Sequence, residues 1–164
     1  LLTVPGVLLL GMLSGALANS GPGNAWFDGL SKPALYPPPA TFGIVWTALY
    51  LLMGLALAIV ASARGARFRT AAIAVFIGQL LLNLAWSPLF FMAHQITGAL
   101  MLIAALDVAV IATIVLFWRV RPIAAMLLLP YLAWILFATV LTWQFLQANP
   151  HADGRASSSA RVEF

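Results

Sequence analysis

The few polar side chains inside the apolar runs are the first candidates for chemistry. Gln79, Asn83 and Trp86 are spaced i, i+4 and i+7, so a helix carries them on one face. Polar groups in such runs are costly and usually face the interior of a bundle. Two interpretations stay open. These side chains hydrogen-bond one helix to another, or they form a pocket wall in which the Asn83 amide meets a ligand carbonyl or carboxylate.

Tryptophans provide the second set of candidates. Trp46 and Tyr50 form one i, i+4 pair, and Trp134 and Ala138 form another. A deep tryptophan beside a small alanine is consistent with a slot for a flat ring, although core packing explains the same pattern equally well. The remaining tryptophans except Trp86 suit the membrane interface by their positions, where indole rings are enriched: they are Trp26, Trp118 and Trp143.

Catalysis by protein groups and metal binding have little support. The chain has no cysteine, which removes disulfides and thiolate chemistry. His94 and His151 are far apart and lack paired carboxylates, so we expect no metal site. Ser14 and Ser87 have no neighbouring base in the pattern. Asp107 is the only acid inside an apolar run and has no second ionisable group at similar depth, so its role is unassigned.

Composition places the chain in a membrane. Of 164 residues, 63% are hydrophobic and 7% are charged, and the mean hydropathy is +1.03. Soluble domains carry roughly 25% charged residues, so this chain cannot cover a water-facing surface, and it has no room for a separate soluble domain. The net charge is +4 without a basic stripe, which makes nucleic acid an unlikely partner.

Apolar runs of about 20 residues predict membrane-spanning helices. We predict an all-α integral membrane protein, a bundle of five transmembrane helices with a long ordered loop between helices 1 and 2. The single domain covers residues 1–148, and residues 149–164 form a mobile tail. The predicted spans are about 2–19, 41–63, 71–92, 98–118 and 123–147.

The loop and the first span carry the remaining local signals. Residues 26–50 combine aromatic side chains with four prolines, which predicts a stiff lid over a pocket among the helices. The first run is read as a retained helix rather than a signal peptide. Its Gly11 and Gly15 form a GxxxG pattern that permits close helix contact, and we favour packing within the chain over dimerisation.

Arginines predict the orientation. The turns at 64–69 and 119–121 hold five of the eight basic residues and lie on one side, because two spans separate them. The positive-inside rule makes that side cytoplasmic. The N-terminus is then cytoplasmic, whereas the first loop, the His94 turn and the C-terminus lie outside. Helical spans favour a bacterial inner membrane over an outer membrane.

Four segments, in order from Trp26 to Trp143, form a recognisable set. The segments are Trp26-Phe27 with Leu30-Ser31-Lys32-Pro33 and Pro37-Pro38; Trp46-Thr47-Ala48-Leu49-Tyr50; Gln79-Leu80 with Asn83, Trp86, Pro88, Phe90 and Phe91; and Pro130-Tyr131-Leu132-Ala133-Trp134 with Phe137-Ala138-Thr139 and Leu141. No single segment is diagnostic, but the ordered set is specific, and together the segments resemble the TspO/MBR family of tryptophan-rich sensory proteins.

The resemblance implies a five-helix bundle, commonly a homodimer, that binds tetrapyrroles such as protoporphyrin IX and haem as ligands and requires no resident cofactor. It also implies synthetic ligands of the benzodiazepine and isoquinoline carboxamide types. The pocket lies beneath the first loop. The family's pocket positions fall on Trp26, Phe27, Pro37, Phe42, Trp46, Tyr50, Asn83, Trp86, Trp134 and Ala138.

Some positions depart from the family pattern. Phe27 replaces a frequent tyrosine, and Ala34 and Leu35 stand where relatives often have a tryptophan. Trp143 ends Leu141-Thr142-Trp143 where animal members have Leu-Asn-Tyr, so the tyrosine of the proposed cholesterol pattern is missing and cholesterol binding has no basis. We therefore expect the ligand class to be kept and the contacts of the lid to differ.

Three functions follow as hypotheses. The first is a tetrapyrrole-binding receptor or sensor linked to porphyrin regulation, transport or stress. The second is light- and oxygen-dependent porphyrin degradation, with Trp46 and Trp134 as the reacting residues. The third is a structural membrane protein whose pocket holds lipid. Coupled transport has the least support, because the spans have neither an internal repeat nor a charged relay.

Overall fold

The computed structural model describes residues 2–154, and every regular element within them is helical. The fourth helix, α4, continues directly into a π-helical turn. The elements are α1 (Thr3–Leu17), α2 (Ala25–Asp28), α3 (Pro39–Ser62), α4 (Arg69–Ser87) with its π-helical turn (Pro88–Met92), α5 (Ile96–Val120), α6 (Pro122–Leu127) and α7 (Leu129–Ala148).

Among the described residues, four helical stretches are long and apolar enough to cross a membrane: 39–62, 69–92, 96–120 and 122–148. They correspond to four of the five predicted spans, with bounds that differ by only a few residues. The chain is therefore an integral membrane protein. Helix α1 has 15 residues and is about 22 Å long, shorter than the roughly 30 Å hydrocarbon core. The fifth span stays a prediction.

Prolines determine where several helices begin or change pitch. Pro39 and Pro122 occupy the first turns of α3 and α6, where a missing N–H costs nothing. Pro88 follows α4, and the Ala93 N–H donates to the Pro88 carbonyl at 3.0 Å, which widens the last turn into a π-helix. Pro130 lies in the first turn of α7, and the last span is interrupted at Leu128.

Helix α1 packs tightly against α3 through glycines on both helices. A Cβ built on Gly54 would lie 2.5 Å from Val4 Cα, and Thr3 Oγ1 donates to the Gly54 carbonyl at 2.9 Å. A Cβ on Gly11 would meet the Tyr50 ring at 2.2 Å. Gly11 of the GxxxG pattern thus packs within the chain, as the sequence favoured.

The two arginine-rich turns meet at one end of the bundle. The guanidinium carbons of Arg67 and Arg119 lie 5.4 and 5.6 Å from the centre of the Phe68 ring. This agrees with the prediction that both turns share a side, whereas their cytoplasmic location stays a prediction. The loop between α1 and α3 and the His94 turn lie together at the opposite end, where Trp26 stacks on His94.

Residues 149–154, the first part of the tail that the sequence predicts to be mobile, form a strap across that second end. Asn149 accepts from the Ser31 N–H at 2.7 Å and donates to the Ser31 carbonyl at 2.9 Å. Asp153 accepts from the Ile96 N–H at 2.6 Å. A Ser- and Gly-rich composition suggests mobility, but these tertiary hydrogen bonds hold the strap. The rest of the predicted tail, 155–164, lies outside the described residues.

Candidate functional site

A cavity of about 510 Å³ lies among the helices beneath the first loop. Its walls come from α1, α3, α4 with its π-helical turn, α5 and α7, and the loop contributes Phe27 and Tyr36. The volume falls in the range of about 300–1,000 Å³ that is typical of small-molecule sites. Aromatic side chains form much of the wall, and the loop covers it as a lid.

Eight of the ten predicted pocket positions line this cavity: Phe27, Phe42, Trp46, Tyr50, Asn83, Trp86, Trp134 and Ala138. Trp26 and Pro37 do not line it. Trp26 is buried, stacks on His94 with ring centres 4.6 Å apart, and donates from Nε1 to the Ala152 carbonyl at 3.3 Å. It thus holds the loop in place and does not line the cavity, whereas its position at the membrane interface stays a prediction.

Four aromatic residues of the cavity wall are not among the predicted pocket positions. Tyr36, Phe90, Phe91 and Phe145 line the cavity. The Tyr36 ring lies 5.6 Å from Phe42 and 5.7 Å from Phe145, measured between ring centres. Tyr36 could have been found as one more aromatic residue of the proline-rich loop, whereas Phe145 offers no local signal because α7 is apolar on all sides.

A directed chain of hydrogen bonds links three helices at one side of the cavity. Tyr50 donates to Asn83 Oδ1 at 2.9 Å, Asn83 Nδ2 donates to Tyr131 Oη at 2.8 Å, and Tyr131 donates to Gln79 Oε1 at 2.8 Å. The interhelical interpretation of the polar face is therefore confirmed for Asn83, whereas its contact with a ligand stays a prediction. Asn83 ties α3 and α7 to α4, and it also lines the cavity.

Two indole donors in the wall have no partner. Within residues 2–154, Trp86 Nε1 and Trp134 Nε1 are buried atoms without a hydrogen bond. Their rings are held by aromatic neighbours, Trp86 stacked on Phe90 with centres 4.9 Å apart and Trp134 edge-on to Phe42 at 5.8 Å. A buried donor left unpaired costs about 1–3 kcal/mol. Because both nitrogens are buried, the two indoles present ring surface rather than an N–H group to the cavity.

Asp107 lies outside the cavity wall and contacts α7. Its Oδ2 accepts from Thr139 Oγ1 at 2.7 Å, whereas its buried Oδ1 has no partner among the described residues. Thr139 is also 2.8 Å from the Ile135 carbonyl and has one hydroxyl proton to share between the two acceptors. Asp107 thus pairs α5 with α7, and nothing in its surroundings assigns it a ligand role.

A lysine stabilises the loop above the cavity. Lys32 Nζ donates to the carbonyls of Phe27 and Leu30 and lies 4.2 Å from the centre of the Phe27 ring. Burial lowers the pKa of Lys32, and the nearby Asp28 charge partly opposes that shift. Burial also raises the pKa of Tyr36, with a further contribution from Asp28. The loop therefore places a cation over one wall residue, Phe27.

Comparisons with known proteins agree with the motifs. The TspO/MBR family model matches residues 3–147. The chain is 40% identical over 136 residues to the translocator protein of Homo sapiens, covering 82% of this chain and 80% of that protein. It is 44% identical over 124 residues to the tryptophan-rich protein TspO of Archaeoglobus fulgidus, covering 76% and 80%. It is 36% identical over 124 residues to the tryptophan-rich sensory protein of Cereibacter sphaeroides, covering 76% and 77%.

Proposed function

The chain belongs to the TspO/MBR family, and on that premise we propose that it is a membrane sensor or receptor whose cavity binds a tetrapyrrole such as protoporphyrin IX or haem. The sensor or receptor role is supported by relatives named tryptophan-rich sensory protein and translocator protein. The site itself supports the ligand class through its volume and its aromatic walls.

The observation that carries the proposal is the aromatic wall of the cavity. A tetrapyrrole is flat, so its faces can pack on rings such as Trp46, which itself stacks on Tyr50 at 5.3 Å. Trp86 and Trp134 add two further indole rings to the same wall. The wall therefore supports a ligand with a flat, largely apolar ring system.

The same chemistry accommodates the synthetic ligands that the family resemblance implies. Benzodiazepine-type and isoquinoline carboxamide molecules combine flat rings with a carbonyl acceptor. We propose that their carbonyl meets the Asn83 amide at the cavity wall. Cholesterol is not proposed, because the tyrosine of the suggested recognition pattern is absent at Trp143.

A titration tests the proposal. Purified protein receives protoporphyrin IX while tryptophan fluorescence and porphyrin absorption are followed. We expect saturable binding that weakens several-fold in Trp86→Phe or Trp134→Phe, because each change removes part of the indole surface on which the flat ligand packs, and aromatic pairs contribute about 0.5–1.5 kcal/mol beyond their buried area. Trp143→Phe is the matched control, since Trp143 is half exposed on the outer surface. Non-saturable quenching, or equal affinity in all three variants, would refute the proposal.

One observation favours a second activity. Trp46 and Trp134 both line the cavity, so a bound porphyrin would lie beside two oxidisable indoles. Under light, an excited porphyrin passes energy to dioxygen, and the activated oxygen then attacks the porphyrin or an indole. Porphyrin breakdown in light is therefore the alternative function. If porphyrin does not bind, the remaining hypothesis is a structural membrane protein whose cavity holds lipid.

For the setting, we propose a bacterial inner membrane with the arginine turns in the cytoplasm and the lid outside. The clustering of Arg67 and Arg119 on Phe68 at one end supports this orientation through the positive-inside rule. A homodimer is proposed from the family resemblance alone. Cysteine accessibility from each side of the membrane tests the orientation, and crosslinking in membranes tests the dimer.

A further inference from the structure

Helices α1 and α3 are in close contact along only one half of their length. Near the end that holds the start of α1, Gly54 leaves no room for a Cβ against Val4, and Gly11 leaves none against Tyr50. Towards the loop the two helices separate. A Cβ on Gly15 would meet only Ser20 Oγ at 3.9 Å, and a Cβ on Gly43 would meet nothing within 4 Å.

The separation leaves a gap that reaches the cavity. Four residues line the cavity and are also exposed: Met12 and Ala16 on α1, and Gly43 and Thr47 on α3. Met12 is 56% exposed. Since α3 spans the membrane, these exposed side chains face lipid rather than water. We name this opening the α1–α3 gap.

The polarity of the gap suits an apolar body with a polar end. The Thr47 hydroxyl donates to the Gly43 carbonyl at 2.7 Å, so it presents no free donor to lipid. At the loop end, Asn19 and Ser20 line the same cavity and are exposed at the interface. On its other side α1 is held by Ser14, which donates to the Leu84 carbonyl at 2.6 Å, so the opening lies on the α3 side.

On the loop side, in contrast to the α1–α3 gap, hydrogen bonds hold the loop over the cavity. The strap holds the loop through two hydrogen bonds between Asn149 and Ser31 and one from Trp26 to Ala152. Asp153 anchors the strap to the start of α5, accepting from the N–H groups of Ile96 and Thr97. Entry through the loop would have to break several of these bonds, whereas entry through the α1–α3 gap breaks none.

We propose that the ligand enters and leaves the cavity sideways, from the bilayer leaflet on the loop side, through the α1–α3 gap. This inference rests on the proposed function. It restricts the ligand class to amphiphiles that first partition into the membrane. Their polar end stays near Asn19 and Ser20 at the interface while the flat apolar body passes Gly43 and Thr47.

Stopped-flow fluorescence tests the route. Protein in lipid nanodiscs is mixed with vesicles that carry protoporphyrin IX. We expect Gly43→Phe to slow association and dissociation together, each about tenfold, because a blocked passage raises the barrier in both directions, whereas a side chain that only displaced the bound ligand would speed dissociation. Gly78→Phe is the matched control: Gly78 is another exposed helical glycine with nothing within 4 Å, and it does not line the cavity.

The outcomes separate the route from the proposed function. If Gly43→Phe binds at wild-type rates while Asn149→Ala accelerates both rates, the entrance is the loop and this inference is wrong, although the proposed function stands. If wild-type protein shows no saturable binding, both fail. Should Gly43→Phe not fold, as judged by its thermal transition, Ala16→Phe adds the same bulk on the opposite side of the gap and is expected to slow both rates equally.

Discussion

The ring of Tyr50 covers Gly11 so closely that a Cβ built on the glycine would lie 2.2 Å from Tyr50 Cε2. The ring cannot easily withdraw, because the Tyr50 hydroxyl donates to Asn83 at 2.9 Å. Both residues also line the cavity. One contact therefore determines how near α1 approaches α3, the position of a cavity wall and the start of the hydrogen-bond chain.

Gly11→Ala should destabilise the protein by about 1–3 kcal/mol, the usual cost of adding volume to a packed core. The added methyl group must displace the Tyr50 ring and strain its bond to Asn83. Thermal unfolding in detergent measures the effect. Gly15→Ala, where the new Cβ would meet only Ser20 Oγ at 3.9 Å, should change stability little. Equal stability of the two variants would contradict the packing described.

Tyr131→Phe should be more destabilising than Tyr50→Phe. The Tyr131 hydroxyl accepts from Asn83 and donates to Gln79, so its removal strands two buried groups at about 1–3 kcal/mol each. Tyr50→Phe strands only Asn83 Oδ1. Denaturant unfolding ranks the variants, with Tyr36→Phe as a control, because the Tyr36 hydroxyl makes no hydrogen bond to the other described residues. The reverse ranking would disprove the directed chain.

Light should bleach the bound porphyrin only where the cavity tryptophans are intact. Illumination of the protoporphyrin complex in air is expected to reduce its absorption in wild-type protein and several-fold more slowly in Trp46→Phe and Trp134→Phe. Trp118→Phe, a change at a half-exposed tryptophan, should behave like wild type. Bleaching that is equal in all variants, or that persists without oxygen, would exclude the degradation hypothesis and leave the sensor function.

Asn149→Ala should loosen the lid. Loss of both bonds to Ser31 removes about 1–3 kcal/mol of local stabilisation, so hydrogen exchange at residues 31–36 is expected to accelerate about tenfold or more. Gln147→Ala is the matched control, since Gln147 is an exposed residue two positions earlier without a side-chain hydrogen bond to other described residues. Unchanged exchange in Asn149→Ala would show that the strap does not hold the lid.

The apolar runs of the sequence predicted the helices well, because a segment in lipid must be both apolar and helical. A backbone in hydrocarbon must satisfy its own hydrogen bonds, so each long apolar run becomes a helix and arginines or prolines mark its ends. The four spanning stretches accordingly begin and end within a few residues of the predicted limits. Helical spacing also placed Gln79 and Asn83 on one inward face, where both are buried.

The hydrogen bonds of the strap could not be predicted from composition, because composition reflects only local conformational preference and not distant hydrogen-bond partners. Residues 149–154 look mobile by sequence, yet Asn149 and Asp153 find partners more than 50 residues away. For the same reason Trp26 was assigned to the cavity by resemblance and to the interface by position, whereas its stacking on His94 and its bond to Ala152 decide its role.

The sequence by itself determined an all-helical membrane protein, the family to which it belongs, and most of the aromatic and amide residues around the cavity. Only the tertiary structure decided which tryptophans keep a free N–H, which loop residues are fastened, and where α1 leaves α3. The physical reason is that periodicity specifies the faces of a helix, whereas its crossing with a neighbour depends on single close contacts, here Gly11 on Tyr50 and Gly54 on Val4. Those contacts bring the helices together at one end and leave the cavity open at the other.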